Sequence, residues 1–237
     1  MRRFAPPLVG LALLLTGCGL NTPDHHETRA FPYQATTLRI ASTLGGLRVE
    51  PGAPGAITVD RWTRGKAAEA GKATWKLTGE TLSLSADCTM IFGDCGSRYK
   101  ITVPPGVKLV IDASDGIILT GLTQDLDVTA RAAIQLRDVS GALRLRSKGM
   151  ISGERLRSPQ VRARTGVGAV DLTFLVRPAA VDLATVGGPI TAKVPDGAYR
   201  VSATSTEGRV DSKLKSTQSA NTIKARTRDG NILISAD

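Results

Sequence analysis

The chain has little of the side-chain chemistry on which many enzymes and nucleic-acid-binding proteins depend. Aromatic residues make up 4% of its 237 residues, and it has two histidines and three cysteines. Single-stranded nucleic acids stack their bases on aromatic side chains, so we expect no nucleic-acid partner despite the net charge of +10. Both histidines, His25 and His26, lie in a polar segment near the start of the chain. We therefore expect no Ser-His-Asp or Cys-His arrangement inside the fold.

Long apolar runs are also scarce, and the only one lies at the beginning of the chain. Residues 4–15 follow two arginines and have the length of a signal-peptide core, which is short for a membrane span. The run ends in Leu15-Thr16-Gly17-Cys18, which resembles the lipobox of bacterial lipoproteins. The resemblance implies that residues 1–17 are a signal peptide and that Cys18 carries a diacylglycerol thioether. The alternative is an ordinary secretory signal followed by a chance cysteine.

Without a second apolar run of 18 residues, the protein is expected to sit on a bacterial membrane through its lipid and not to cross it. Residues 18–36 offer almost nothing to bury, which predicts a flexible, lipid-anchored tether. Within it, His25-His26-Glu27 is more typical of a solvated linker than of a metal site. Removal of residues 1–17 deletes two arginines and no acid, so the net charge of the mature chain is +8.

Two cysteines remain after Cys18, namely Cys88 and Cys95. An even pair in an oxidising compartment predicts a structural disulfide, which would stabilise the fold by roughly 2–3 kcal/mol. A metal pair and a redox dithiol are the alternatives, although the first needs more ligands and the second usually has two residues between its cysteines. The apolar tip Met90-Ile91-Phe92 inside this loop is either a plug over the end of the fold or a contact point.

Glycines in constant phase indicate a repeated unit. Eight segments open with alternating apolar residues, and in six of them a glycine follows seven residues later. The segments begin at Leu38, Leu109, Leu126, Leu143, Val161, Val181, Val201 and Ile223, and the residues seven positions on are Gly45, Gly116, Ala133, Met150, Gly168, Gly188, Gly208 and Gly230. A unit that cannot bury its own apolar face must stack on copies of itself. The pattern predicts an all-β, single-stranded parallel β-solenoid, right-handed, with two short strands per coil.

The domain organisation follows from this repeat. Residues 37–237 form one solenoid domain, with regular coils over 109–237 and an irregular N-terminal β cap over 56–103 that covers the exposed end of the stack. Glycine at each turn is expected to supply a positive φ. Inward positions are small because the coils are thin, as at Ala113, Ala163, Ala192 and Ala225.

Residues 99–107, Tyr-Lys-Ile-Thr-Val-Pro-Pro-Gly-Val, lead into Leu109-Val110-Ile111 and Asp115-Gly116-Ile117. This sequence resembles the bacterial putative-adhesin β-strand-repeat family, and the resemblance covers roughly residues 38–237. It implies a β-solenoid in an exported or membrane-attached protein, with no catalytic residue to carry over and no cofactor. The chain departs from the family pattern at Ala133, which replaces a turn glycine, and in its Cys88/Cys95 loop.

The acids do not form an obvious catalytic pair. In the register of the repeat, Asp112 neighbours Thr129 and Asp127 neighbours Val110, so a glycan-cleaving pair of carboxylates is not expected. Two alternative functions nevertheless stay open. One is a glycan-active β-helix enzyme, and the other is an accessory role in a membrane signalling system.

Arginines form columns in the same register. The second position of successive units reads Asp127, Arg144, Arg162, Asp182, and the fourth reads Thr129, Arg146, Arg164, Ala184. We expect Arg144 and Arg162 to be flanked by acids, and Arg146 and Arg164 to stand beside each other with no acid in their column. A solvated face that keeps the protein soluble would explain these arginines, and so would a shallow anion site for envelope polymers, phospholipid headgroups or acidic glycans. The sequence thus favours a non-catalytic envelope lipoprotein with a binding, adhesin-like or scaffold role.

Overall fold

A computed structural model describes residues 24–89 and 93–236. The described chain is all-β, as predicted, with 21 strands in two mixed sheets and one 3-10 turn at Lys66–Ala68. None of its described residues forms a helix of the length and hydropathy that a membrane span requires. The predicted signal peptide, Cys18 and the tip Met90-Ile91-Phe92 lie outside the described residues.

The strands follow one another with short connections. In the first half they are β1 (His25–Pro32), β2 (Thr37–Ser42), β3 (Gly46–Pro51), β4 (Ala56–Gly65), β5 (Ala73–Thr78), β6 (Thr81–Ala86), β7 (Cys95–Val103), β8 (Lys108–Ala113), β9 (Ile117–Thr120), β10 (Leu126–Ala130) and β11 (Ile134–Arg137). In the second half they are β12 (Leu143–Ser147), β13 (Ile151–Leu156), β14 (Gln160–Thr165), β15 (Val170–Phe174), β16 (Ala180–Thr185), β17 (Ile190–Val194), β18 (Arg200–Ser205), β19 (Val210–Ser212), β20 (Thr222–Thr227) and β21 (Ile232–Ala236).

From β8 onward the chain alternates between the two sheets. The first sheet has the order β1-β4-β7-β3-β9-β11-β13-β15-β17-β21-β19, and the second has the order β18-β20-β16-β14-β12-β10-β8-β2-β6-β5. Neighbouring strands over this part pair in parallel and in the register of the repeat. One column of paired residues contains Leu109, Leu126, Leu143, Val161 and Val181. All five are buried in the aliphatic core, where Ala113, Ala163, Ala192 and Ala225 are fully buried as expected.

Residues 56–103 lie at one end of both sheets. Here β7 pairs in parallel with β3 and β6 pairs in parallel with β2, whereas β4 and β5 add antiparallel strands outside them. Arg61 is buried between the sheets: it pairs with Glu27, donates to the carbonyl of Ala73 at 2.8 Å and lies 4.3 Å from the centre of the Trp75 ring. A charged side chain is tolerated in this interior position because its donors are satisfied.

The disulfide prediction is confirmed. Cys88 and Cys95 are bonded, with their Cα atoms 5.6 Å apart. Since Cys95 is the residue paired with Gly65 across β4 and β7, the bond ties the loop before β7 to the end of that strand pair. The covalent link therefore belongs to the structure of this end of the stack.

The predicted tether is wrong for residues 25–32. They form β1, which pairs antiparallel with β4 over its whole length. The outer edge of β4 would otherwise present unpaired backbone groups, and a polar segment can satisfy them without burying much apolar surface. Accordingly, Phe31 is the only buried side chain of β1.

The last two pairs of strands do not follow chain order. The unit β20–β21 lies between β16–β17 and β18–β19, although it comes last in the sequence. Its side chains Ile223, Ala225, Ile232 and Ile234 are fully buried, whereas Val210 of β19 is 45% exposed. The more apolar unit thus takes the interior position, and the unit with the weaker apolar pattern forms the end of the stack.

Two rows of turns run along the stack. We call the turns from a second-sheet strand to the next first-sheet strand the glycine corner, because they contain the phased glycines. A positive φ, as expected, occurs at Gly45 (100°), but Gly116 and Gly168 do not have one. At Gly168 and Gly188 the constraint is instead close approach of the neighbouring turn, because an added Cβ would meet backbone atoms of Gly149 and Gly168.

At the opposite corner, Gln124 is buried and its Nε2 has no hydrogen-bond partner among the residues that the structure describes. We expect Gln124→Leu to raise the free energy of unfolding by about 1 kcal/mol, because it removes a buried unsatisfied donor. Chemical denaturation checks this, with the exposed Gln135→Leu as the control that should leave stability unchanged. A loss of stability in Gln124→Leu would mean that the amide is satisfied in solution.

Candidate functional site: the basic face of the second sheet

The positive charge of the protein is concentrated on one sheet. The strands of the second sheet contain ten Lys and Arg residues against three Asp, whereas those of the first contain nine Lys and Arg against six Asp and Glu. Side chains alternate along each strand, so the charged residues share the outward face while the aliphatic ones fill the core. A face of one dominant sign attracts anions.

The four predicted arginines lie together on this face, which we call the basic face. Arg144 is paired with Arg162 and Arg146 with Arg164 across β12 and β14. Asp127 and Asp182 occupy the flanking positions next to Arg144 and Arg162, which confirms the predicted register. Neighbouring strands are about 4.8 Å apart, so four guanidinium groups share a small area.

As predicted, the column that contains Arg146 and Arg164 holds no acid, because its other members are Thr129 and Ala184, but both arginines reach acids of the adjacent column. Arg146 Nη1 lies 2.9 Å from Asp127 Oδ1, and Arg164 pairs with Asp182, each across the diagonal of the sheet. Arginine is long enough to reach an acid that lies two residues along the neighbouring strand, on the same face. Arg144, which was expected beside Asp127, forms no ion pair with any residue in the described ranges.

Asp182 is the centre of the ion-pair network. Arg162 Nε lies 3.6 Å from Oδ2 and Arg226 Nη2 lies 3.3 Å from Oδ1, in addition to the contact with Arg164. Partial burial acts to raise the pKa of the Asp182 carboxyl, but the hydrogen bond from Arg164 and the three arginine charges outweigh it and lower the pKa. Asp182 therefore stays ionised and neutralises only part of the cluster.

The arginines line a hollow on the surface. Its volume is about 230 Å³, and its walls are Arg144, Leu145, Arg146, Arg162 and Arg164. A second hollow of about 540 Å³ adjoins it and includes Lys108 and Gln160 together with Arg144 and Arg162. The two share Arg144 and Arg162, so an extended anionic ligand could occupy both. The side chain of Arg162 is 57% exposed, which leaves its guanidinium accessible.

A further hollow, of about 570 Å³, lies on the first sheet and was not predicted from the sequence. Trp62 forms one wall, with the His26 ring stacked on it at 4.6 Å and Arg98 at 5.1 Å from its centre. The cations here are matched by acids, since Arg98 pairs with Asp24 at 2.7 Å and Lys100 with Glu50 at 3.0 Å. The one feature of the sequence that could have indicated this hollow is Trp62, a large aromatic side chain at an outward position of β4.

The histidines belong to the fold, which corrects the expectation that they lie in a tether. His26 Nε2 lies 3.2 Å from Asp60 Oδ1, and the same oxygen accepts a hydrogen bond from Thr28 at 2.6 Å.

The acids of β8 and β10 lie where the register of the repeat predicts, since Asp112 is paired with Thr129 and Asp127 with Val110. Within the described residues, no group of three His, Cys, Asp or Glu side chains is arranged to hold a metal ion.

Comparison with known proteins gives structural neighbours without a family assignment. No protein-family model and no curated protein matches the chain. A crystal structure of a putative adhesin from Bacteroides fragilis is similar over 90% of this chain and 97% of its own, with a TM-score of 0.49 and 19% identity. A putative cell adhesion protein from Clostridium sporogenes covers 91% of this chain and all of its own (TM-score 0.40, 12% identity). A putative adhesin from Parabacteroides distasonis covers 90% and 97% (TM-score 0.38, 8% identity).

Proposed function

We propose that this protein is a non-catalytic cell-envelope lipoprotein, held on the outer face of a bacterial membrane by lipid on Cys18, that binds an anionic envelope polymer through its basic face. In this proposal the two sheets are the faces of one right-handed β-solenoid, whose rigid surface repeats the same side-chain positions from coil to coil. The lipobox-like segment Leu15-Thr16-Gly17-Cys18 supports the anchor.

One observation carries the binding role: four arginines lie in register on adjacent strands, with only two acids beside them. Stacked like charges repel one another unless an anion or water screens them. A polymer with regularly spaced phosphate groups would place successive charges over successive strands. Binding should then depend on electrostatics and weaken as salt screens the charges.

The double variant Arg144→Gln/Arg162→Gln tests the binding role. We expect its affinity for poly(glycerol phosphate) at low salt to fall by about tenfold, since two exposed charge contacts contribute together about 1–1.4 kcal/mol. These two arginines are the better choice because Arg146 and Arg164 already have close acid partners. Isothermal titration calorimetry at two salt concentrations would measure the effect.

The matched control is Arg137→Gln/Lys193→Gln, which removes two positive charges from the first sheet. It should retain most of the affinity if the site is the basic face. Equal losses of affinity in both double variants would mean that affinity depends only on the net charge of the protein, and would contradict the proposed site. Affinity for an acidic polysaccharide in place of the phosphate polymer would reassign the ligand.

A further inference from the structure

The glycine corner differs from the opposite corner in charge. Four consecutive turns of the glycine corner, residues 131–133, 148–150, 166–169 and 186–189, contain Arg131 and Lys148 and no acid. The turns of the opposite corner over the same coils contain Asp125, Asp138 and Asp196 together with Arg157 and Arg177, so their net charge is −1 against +2 for the four turns of the glycine corner. Over these coils the glycine corner is therefore the more favourable of the two edges for an anionic surface, although the turn that adjoins the last of them carries Asp229 beside Gly187.

Three of these four turns also expose a large apolar side chain. Val167 is 78% exposed, Val186 is 47% exposed and Met150 is 42% exposed. Because their strands are neighbours in the first and second sheets, these side chains form a line along the edge of the stack. A line of exposed apolar side chains next to cations is typical of a surface that rests in the headgroup region of a bilayer.

The chain enters the fold at this same corner. His25 is paired with Thr63, and Thr63 with Ser97, whose hydroxyl donates to the carbonyl of Leu44 in the first turn of the glycine corner. Asp24 is fixed beside them by its ion pair with Arg98. Asp24, the first residue that the structure describes, therefore lies at the glycine corner.

The length of the chain between Cys18 and Asp24 limits how far the corner can be from the membrane. Five residues lie between Cys18 and Asp24, and the six Cα–Cα steps from one to the other span about 20 Å when the chain is fully extended. If Cys18 carries the lipid, the glycine corner is the edge of the body nearest to the bilayer. The net charge of the four turns and the point of chain entry select this edge, and Val167, the most exposed large apolar side chain of the described residues, lies on it, although Leu175 and Val176 are exposed at the opposite corner.

We propose that the glycine corner docks on the anionic bilayer to which Cys18 is anchored, with Val167 and Val186 in the headgroup layer and Arg131 and Lys148 against lipid phosphates. This inference rests on the proposed lipid anchor. The stack then lies with its long axis along the membrane and its two sheets standing away from it. The basic face points sideways, where it is open to a polymer that runs along the membrane surface.

Fluorescence quenching on the lipidated full-length protein tests the orientation. Single cysteines at Val167→Cys and Val186→Cys report on the glycine corner, and Leu175→Cys and Val176→Cys report on exposed apolar positions of the opposite corner. Each variant is labelled with an environment-sensitive fluorophore and reconstituted in vesicles of phosphatidylglycerol and phosphatidylethanolamine that contain a headgroup-depth nitroxide lipid. We expect loss of more than about half of the fluorescence at 167 and 186, since docking places side chains about 5–10 Å into the interface, and little loss at 175 and 176.

Flotation of the same vesicles distinguishes a failure of the lipid anchor from a failure of the docking. If the wild-type chain floats and both corners are quenched equally, the anchor stands and the docking is wrong. If the lipidated preparation does not float, the anchor is wrong and the docking fails with it. Protection of position 167 from aqueous iodide without quenching by the nitroxide lipid would assign the corner to a protein partner and would also overturn the docking.

Discussion

Replacing Gly188 with alanine should destabilise the fold by about 3 kcal/mol or more, because a single added Cβ has no space in the stack. The new atom would lie 2.5 Å from the carbonyl oxygen of Gly168 and 2.8 Å from its carbonyl carbon. Both belong to the backbone of the adjacent turn, which is held by strand pairing on both sides and cannot shift cheaply. Steric contact is the cause, since the φ of Gly188 (+157°) is almost extended.

The matched control is Gly116→Ala, at the equivalent position of the repeat four units before Gly188. Its added Cβ would lie 3.5 Å from the carbonyl oxygen of Ala133, an ordinary van der Waals distance, and Gly116 has no positive φ. We expect it to change stability by less than about 1 kcal/mol. Urea denaturation of both variants measures the difference, and equal stabilities would contradict the close stacking of turns at the glycine corner.

Periodicity predicted the register of this protein because register depends on the backbone repeat. Leu126, Leu143 and Val161 occupy one column since a shift of one residue would turn the apolar side chains of a strand to the outside. The ion pairs of Arg146 and Arg164 were not predictable in the same way. Their partners depend on side-chain length and rotamer, which allow an arginine to reach diagonally to an acid on the adjacent strand.

The other differences between prediction and structure concern strands at the edge or end of a sheet. The strand β1 was predicted as a tether because its residues are polar, yet a strand at a sheet edge needs backbone hydrogen bonds more than apolar side chains. The order of the last coils was also missed, because Val201 and Ile223 open their units with equally good apolar residues. A signal was present in Val210-Asp211-Ser212, where the second strand of the unit has only one apolar side chain.

Cross-linking distinguishes the observed coil order from chain order with an all-or-none result. Ala184 of β16 is paired with Arg226 of β20, and Arg226 is paired with Thr204 of β18. Adjacent strands lie about 4.8 Å apart, within the Cα separation that a disulfide spans, whereas two strand spacings amount to about 10 Å. We expect Ala184→Cys/Arg226→Cys to form a disulfide on mild oxidation, and Ala184→Cys/Thr204→Cys to remain reduced.

The physical basis of this prediction is the burial of the last unit. If β18 took the place of β20, the end of the stack would expose Ile232 and Ile234, which are now fully buried, at a cost of about 1.5–3 kcal/mol for each side chain. Arg226→Cys/Thr204→Cys should also cross-link and serves as the positive control for reactivity at position 204. Peptide mapping by mass spectrometry identifies the bonds. A disulfide between positions 184 and 204, with none between 184 and 226, would show that the coils stack in chain order.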